Sequence, residues 1–214
     1  INPIPYKIIL ASNSPRRREL LAGLGLDFEV HVIKGISESY PHDLPVSQIP
    51  QYIAHEKASA YLVKPGELVI TADTVVVVGS GDHDYRVLGK PKDADEARGM
   101  LHALSGRSHH VITGVCLTTH EGQRQFSVTT EVTFRELTDD EIDYYITHYR
   151  PFDKAGAYGI QEWIGYIGVT GIRGSYFNVM GLPVQRIWQE LRQIATEPRA
   201  LYHMSIIHNK YQQV

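Results

Sequence analysis

Leu68-Val69-Ile70-Thr71-Ala72-Asp73-Thr74-Val75-Val76-Val77-Val78 is the most β-branched run in the chain, and a single acidic residue, Asp73, interrupts it. Such a run predicts a central strand. A carboxylate there is costly to bury unless it is ion-paired, hydrogen-bonded or metal-bound. The run alone leaves two readings open. Either Asp73 does chemistry, or it stands at a strand end and caps a neighbouring turn.

Earlier in the chain, Lys7-Ile8-Ile9-Leu10-Ala11-Ser12 is a short apolar run that reads as a buried strand. Ser14-Pro15 then opens a helix, with serine at the cap and proline where its missing N–H costs nothing. That helix runs from Arg16 to Leu24 with Leu20, Leu21 and Leu24 on one face, and Gly25 ends it. Phe28 to Val32 alternates as a strand, 34–45 is a polar loop, and Ile49 to Val63 is helical in pattern. Beyond the central run, Ser80 to Asp84 turns the chain and Arg86-Val87-Leu88 pairs back. A helix from Asp93 to Leu104, strands over 109–119 and 124–137, and a capping box at Thr138-Asp139-Asp140-Glu141 follow. The capped helix reaches Tyr149 and Pro151 breaks it. Gly-rich strand or loop material extends to Phe177, and a last helix runs from Pro183 to Ile194. Strands alternating with helices in the first half and long antiparallel strands in the second predict one α/β domain over 1–198, followed by a polar tail, 199–214.

The 214 residues are enough for one sizeable core, burying roughly 70% of the unfolded chain's surface. A net charge of −3 argues against a whole-surface polyanion binder, and no nucleic-acid partner is expected; a local basic cleft for a small anion stays compatible with it. The lone cysteine, Cys116, excludes an intrachain disulfide and a zinc site built on several thiolates. No apolar run approaches the roughly 20 residues of a membrane span. Residues 1–6 carry two prolines and no charged-then-apolar leader, so the expected compartment is the cytoplasm.

Several chemistries are refused. Gly89-Lys90 is followed by Pro91 where a phosphate loop needs Ser or Thr, His55-Glu56 lacks the second histidine of a zincin, and no serine sits in G-x-S-x-G. Most of the 11 histidines read as scattered surface residues, with His109 and His110 pointing to opposite faces of a strand.

Four polar segments remain. Ser12-Asn13-Ser14-Pro15-Arg16-Arg17-Arg18 places cations at a helix start, where free N–H groups and the dipole suit phosphate; the plainer reading is a solvated first turn. Thr71 to Thr74 holds the stranded carboxylate. Leu88-Gly89-Lys90-Pro91 presents a lysine between rigid neighbours, or an ordinary turn lysine. Asp153-Lys154-Ala155-Gly156-Ala157-Tyr158-Gly159-Ile160-Gln161 has small residues that admit close backbone approach to a ligand, or form a tight loop.

These segments, in this order, together with Ser105-Gly106-Arg107, His110 to Val115 and Asn178-Val179-Met180-Gly181-Leu182-Pro183, resemble the Maf family of nucleoside triphosphate pyrophosphatases from Lys7 to Leu191. The fourth segment looks like the branch that hydrolyses dTTP and UTP. The resemblance implies a twisted mixed α/β sheet flanked by helices, with two lobes and a central cleft, of the inosine triphosphate pyrophosphatase type. It implies a divalent cation, Mg²⁺ or Mn²⁺, a role in nucleotide-pool cleaning, and it admits a homodimer. Residue by residue, Asp73 corresponds to the general base, Arg16, Thr74 and Gln161 to substrate choice, and Ser14, Arg17, Lys57 and Lys90 to the triphosphate. Glu38 matches an acidic position that assists Asp73 with the metal or water. The chain departs from the family where a glycine usually follows the glutamine; Glu162-Trp163 stands there and bears on the base pocket. Two rival readings are the methylated-guanine branch of the same family and a non-catalytic cell-division module binding nucleic acid or protein through Arg16-Arg17-Arg18.

Overall fold

A computed structural model describes residues 4–79 and 85–196. The expected turn at 80–84 and the expected tail, 199–214, lie outside the described residues. The strands are β1 (Lys7–Leu10), β2 (Phe28–Val30), β3 (Glu67–Gly79), β4 (Tyr85–Leu88), β5 (Ser108–Thr119), β6 (Gln123–Phe134) and β7 (Val169–Arg173). The helices are α1 (Pro15–Ala22), α2 (Ile49–Ser59), α3 (Ala94–Leu104), α4 (Asp139–Tyr149), α5 (Trp163–Gly168), α6 (Tyr176–Met180) and α7 (Val184–Thr196).

The strands form one sheet in the order β2-β1-β3-β5-β6-β7, with β4 paired to β3. It is mixed: β1 runs parallel to both β2 and β3, whereas β4 is antiparallel to β3 and β7 to β6. The expected mixed α/β architecture is therefore present. The chain divides into two compact units, with boundaries inside β3, β5 and β6 and a fourth between α6 and α7. Unit one holds the chain up to Asp73, Gly114–Ser127 and the chain from Leu182; unit two holds Thr74–Thr113 and Val128–Gly181. No helix among the described residues is long and apolar enough to cross a membrane.

In unit one the chain passes from β1 through α1 to β2 on one side, then through α2 to β3 on the other side of β1. That reversal of direction between β1 and β3 is a topological switch point, and the carboxyl ends of the two strands are where open α/β sheets leave room for ligands. The β1–β3 register ends at Leu10 opposite Ile70, with one further bond from Ala11 N–H to the Ile70 carbonyl (2.9 Å). Asp73 lies three residues past that end. Helix α2 crosses β3 and β5 closely because its contact residues are small: Ala54 and Ala58 pack with Cys116. At Gly114 a Cβ would come within 2.1 Å of the Gln51 backbone nitrogen, so only glycine lets α2 approach β5.

Unit two buries an apolar cluster that includes Leu101, Leu104, Phe134, Ile142, Tyr145 and Ile164. Local signals set α3 and α4 as read. Asp93 caps α3 by accepting from Glu96 N–H (2.8 Å), and Thr138 and Glu141 form the reciprocal capping box of α4. Arg135 grips the same Glu141 with two N–H groups at 2.7 and 3.0 Å, and these bonds, with the Thr138 backbone N–H, pull its carboxyl down to about 2.

Four expectations need correction. Helix α1 is regular only to Ala22; Leu24 and Gly25 bond back three residues instead of four, although Gly25 does take the left-handed exit (φ 69°). Helix α2 stops at Ser59 rather than Val63, because Tyr61 turns out of the helix to accept from Ile33 N–H and donate to the His31 carbonyl. The Gly-rich stretch to Phe177 contains α5, β7 and the start of α6. Glycine hides this helix from propensity, yet packing demands it: a Cβ on Gly165 would meet the Ile160 carbonyl oxygen at 1.8 Å, and one on Gly168 would strike the Phe134 ring at 2.8 Å. The strands expected over 28–32 and 124–137 end at Val30 and Phe134. His109 and His110 face opposite ways as read: the side chain of His110 is 45% exposed, whereas His109 is 1% exposed, stacked on Phe134 and bonded through Nε2 to Tyr158 Oη (2.6 Å).

Candidate active site

The first turn of α1, the loop carrying Glu38, one face of α2 and the middle of β3 meet in unit one. Alternation along β3 puts Thr71 and Asp73 on the same face, and a helix places residues three apart on a common side. The two patterns mesh. Thr71 Oγ1 donates to the Ala54 carbonyl (2.7 Å), and one turn further along α2 the Lys57 ammonium donates to Asp73 Oδ1 (3.0 Å). Lys57 also reaches Glu38 Oε1 at 2.8 Å, so one ammonium holds two carboxylates. The Lys57 and Asp73 side chains are 18% and 15% exposed, against 56% for Glu38. Asp73 is thus an internal charge with a partner, and Glu38 an outer one.

Arg17 supplies the second cation. Its Nη1 donates to the Ala72 carbonyl (2.9 Å), which fixes the guanidinium beside Asp73. Burial pulls its pKa down; the Asp73 carboxylate opposes that, neighbouring Arg16 adds to it, and Glu38 opposes it again. Ser14 Oγ is engaged at the helix cap, accepting from Arg17 N–H at 3.4 Å. The three arginines therefore differ: Arg17 turns inward, Arg16 is half-buried, and Arg18 is exposed and donates to Asn13 Oδ1 (3.3 Å).

Among the described residues no group of three or more His, Cys, Asp and Glu side chains gathers as a metal cage. A hard cation such as Mg²⁺ is commonly held by one or two carboxylates, with substrate phosphates and water completing its shell. Glu38 and Asp73 fit that mode, and the Lys57 ammonium stands where their charge calls for a cation.

Unit two carries Thr74, Lys90 and Gln161. Thr74 follows Asp73 but points to the opposite face of β3, where its hydroxyl bonds Thr113 Oγ1 (2.9 Å). Lys90 is exposed, and its turn abuts the 153–161 segment through Gly156 N–H to the Gly89 carbonyl (3.1 Å). Gln161 is half-buried with its Oε1 enclosed and lacking a hydrogen-bond partner among the described residues. Lys57 therefore joins Glu38 and Asp73 by direct ion pairs and Arg17 is bonded to the adjacent Ala72 carbonyl, while Thr74 and Lys90 with Gln161 belong to unit two. Sequence reasoning missed Lys154, Glu162 and Tyr145 as one cluster. A lysine in a run of small residues, followed eight positions on by a lone glutamate, was the available signal.

An ion-paired carboxylate on β3 just past its parallel pairing with β1, flanked by an inward arginine and a lysine, defines an α/β protein built to take an anionic ligand. The chain belongs to the Maf family: the family model for Maf-like protein matches residues 7–194. Curated relatives include a dTTP/UTP pyrophosphatase of Phocaeicola vulgatus, 63% identical over 191 residues that span 88% of this chain and 96% of that protein. Proteins of the same name from Bacteroides fragilis and Parabacteroides distasonis are 56% and 57% identical, covering 88% and 87% of this chain and 96% and 95% of theirs. Among solved structures, the Ham1 protein of Staphylococcus aureus aligns with a TM-score of 0.47 and 15% identity, over 86% of this chain and 99% of that one.

Proposed function

We propose that the chain is a nucleoside triphosphate pyrophosphatase that hydrolyses dTTP and UTP to the monophosphate and pyrophosphate. The observation that carries this reading is Asp73, a carboxylate on a central strand at the switch point, held by Lys57 and flanked by Arg17. The names of the relatives that share more than half their residues with this chain support the choice of substrate.

In this reading water attacks the α-phosphorus in line with the bond to the bridging oxygen. A P–O bond to water forms, the α–β anhydride bond breaks, and pyrophosphate leaves with the bridging oxygen. Asp73 accepts the proton of the attacking water through its carboxylate. Arg17 and Arg16 neutralise phosphate oxygens, and Lys57, released from Glu38 as the phosphates arrive, adds a third cation. Glu38 and Asp73 would hold a divalent cation, which neutralises phosphate charge and helps acidify water. The resemblance assigns Lys90 to the triphosphate and Arg16, Thr74 and Gln161 to substrate choice. Cleaning the cytoplasmic nucleotide pool is the role that follows from it.

The test is a panel of dTTP, UTP, CTP, GTP and 7-methyl-GTP with Mg²⁺, with Mn²⁺, and with excess chelator, assayed for pyrophosphate and orthophosphate separately. Pyrophosphate release from dTTP and UTP, abolished by chelation, is the expected result. Orthophosphate release would overturn the cleavage position, and preference for 7-methyl-GTP would overturn the pyrimidine assignment.

A further inference from the structure

Unit two contains a closed ring of charged and polar groups that the proposed chemistry does not use. Lys154 is 8% exposed, an unusual place for an ammonium. It is neutralised by Glu162 Oε1 and Asp153 Oδ1, each at 2.9 Å. The second oxygen of Glu162 accepts from Tyr145 Oη (2.7 Å), and the same phenol accepts from Gly159 N–H (3.0 Å). Tyr145 is fully buried in α4, so its hydroxyl is a fixed post. The ring closes over Gly159: a Cβ there would lie 2.9 Å from Glu162 Oε1 and 3.0 Å from Lys154 Cε. Between Gly159 and Glu162 the backbone turns, with Glu162 N–H bonded to the Gly159 carbonyl (3.0 Å). Gln161 sits inside that turn, its Oε1 enclosed and without a partner among the described residues.

We propose that Glu162 is a positioning residue: held by Lys154 and Tyr145, it fixes the 159–162 turn so that the Gln161 amide oxygen stands preset to accept a hydrogen bond from the nucleobase. This rests on the pyrophosphatase reading above and on Gln161 contacting the base. A side chain fixed before binding does not lose its freedom on binding, so the ring converts packing into affinity and selectivity. An acceptor in that place matches uracil and thymine, whose ring N3 carries a hydrogen, and mismatches cytosine, whose N3 is itself an acceptor. An enclosed polar group facing the wrong partner stays unpaired, which is how such sites discriminate.

The test compares UTP and CTP as substrates of the wild-type chain, Glu162→Gln and Tyr145→Phe, with melting temperature recorded for each. Glu162→Gln keeps an acceptor for Tyr145 and removes only the charge, while Lys154 retains Asp153. The expected result is a KM for UTP raised about tenfold with kcat within about threefold, and a UTP-over-CTP preference reduced about tenfold. Tyr145→Phe, which removes one hydroxyl, should move both quantities the same way by about threefold. A folded Glu162→Gln enzyme with unchanged KM and preference would overturn the proposal, as would an equal loss of kcat on both nucleotides. If Glu162→Gln does not fold, Tyr145→Phe decides: an unchanged preference overturns the proposal. No pyrophosphate from any nucleotide with the wild-type chain would instead overturn the pyrophosphatase reading, and this proposal with it.

Discussion

Acidification should destabilise this protein through one histidine, and the size of the effect follows from the surroundings of His109. Its ring is enclosed between Phe134 and Tyr158; Nε2 is engaged with the Tyr158 hydroxyl, and Nδ1 is buried with no partner among the described residues. A second proton would charge a ring that has no solvent around it and no acceptor for the extra N–H. Burial, with a smaller contribution from neighbouring His110, lowers its pKa from 6.5 to about 3. In the unfolded chain the same ring takes up a proton near pH 6.5. Between those values the unfolded state binds more protons than the folded one, so stability is complete above pH 6.5 and falls as pH drops towards 3. Each pH unit in that window costs about 1.4 kcal/mol, or about 2 kcal/mol by pH 5. Glu141, held down to about 2, also makes the fold acid-sensitive, but only below its ordinary value of 4.5, so pH 5 to 7.5 leaves its contribution out, and comparison with a variant lacking the His109 ring cancels the other ten histidines. Urea unfolding at half-unit steps over that range should show the wild-type free energy dropping by about 2 kcal/mol. The His109→Gln variant, which keeps a polar partner for Tyr158 and cannot charge, should lose that slope whatever its stability at pH 7.5. Parallel pH curves for the two proteins would mean that His109 does not carry the acid sensitivity.

Three further outcomes are expected. Asp73→Asn should keep its melting temperature within a few degrees and bind nucleotide, yet lose about 10² to 10⁴ in turnover; wild-type turnover by a folded variant removes the general-base assignment. Lys57→Met leaves Glu38 and Asp73 without their shared ammonium and should cost about 1–2 kcal/mol in urea unfolding, with at least a tenfold fall in kcat/KM; unchanged kinetics would take Lys57 out of the site. Gly114→Ala pushes a methyl to within 2.1 Å of the Gln51 nitrogen and should cost about 3 kcal/mol or more, because backbone must move; a neutral effect by calorimetry would mean that α2 does not lie on β5 as described.

The site was only half legible in the chain. Asp73 stood out because an ionisable residue interrupts a run of valines, and the cost of a buried charge announces that something must compensate it. What compensates it was invisible, since Lys57 is one of many lysines until α2 is laid across β3 and the Thr71–Ala54 and Asp73–Lys57 contacts fall into step. Glu162 illustrates the same limit from the other side. As a sequence feature it was a departure from a family pattern; only the fold supplies the buried lysine and the phenol that give it a task.

By itself the sequence determined the features whose physics is local. Caps at Ser14, Asp93 and Thr138 satisfy helix N–H groups within a few residues, β-branched runs favour strands, and the proline-and-glycine punctuation sets where elements stop. The tertiary structure decided everything that depends on which faces meet. It made His109 an interior residue, turned the glycines of α5 from loop markers into packing requirements, and chose Arg17 over its neighbours to stand beside Asp73. Those outcomes rest on contacts between residues tens of positions apart, and their energies exist only once the helices have been placed on the sheet.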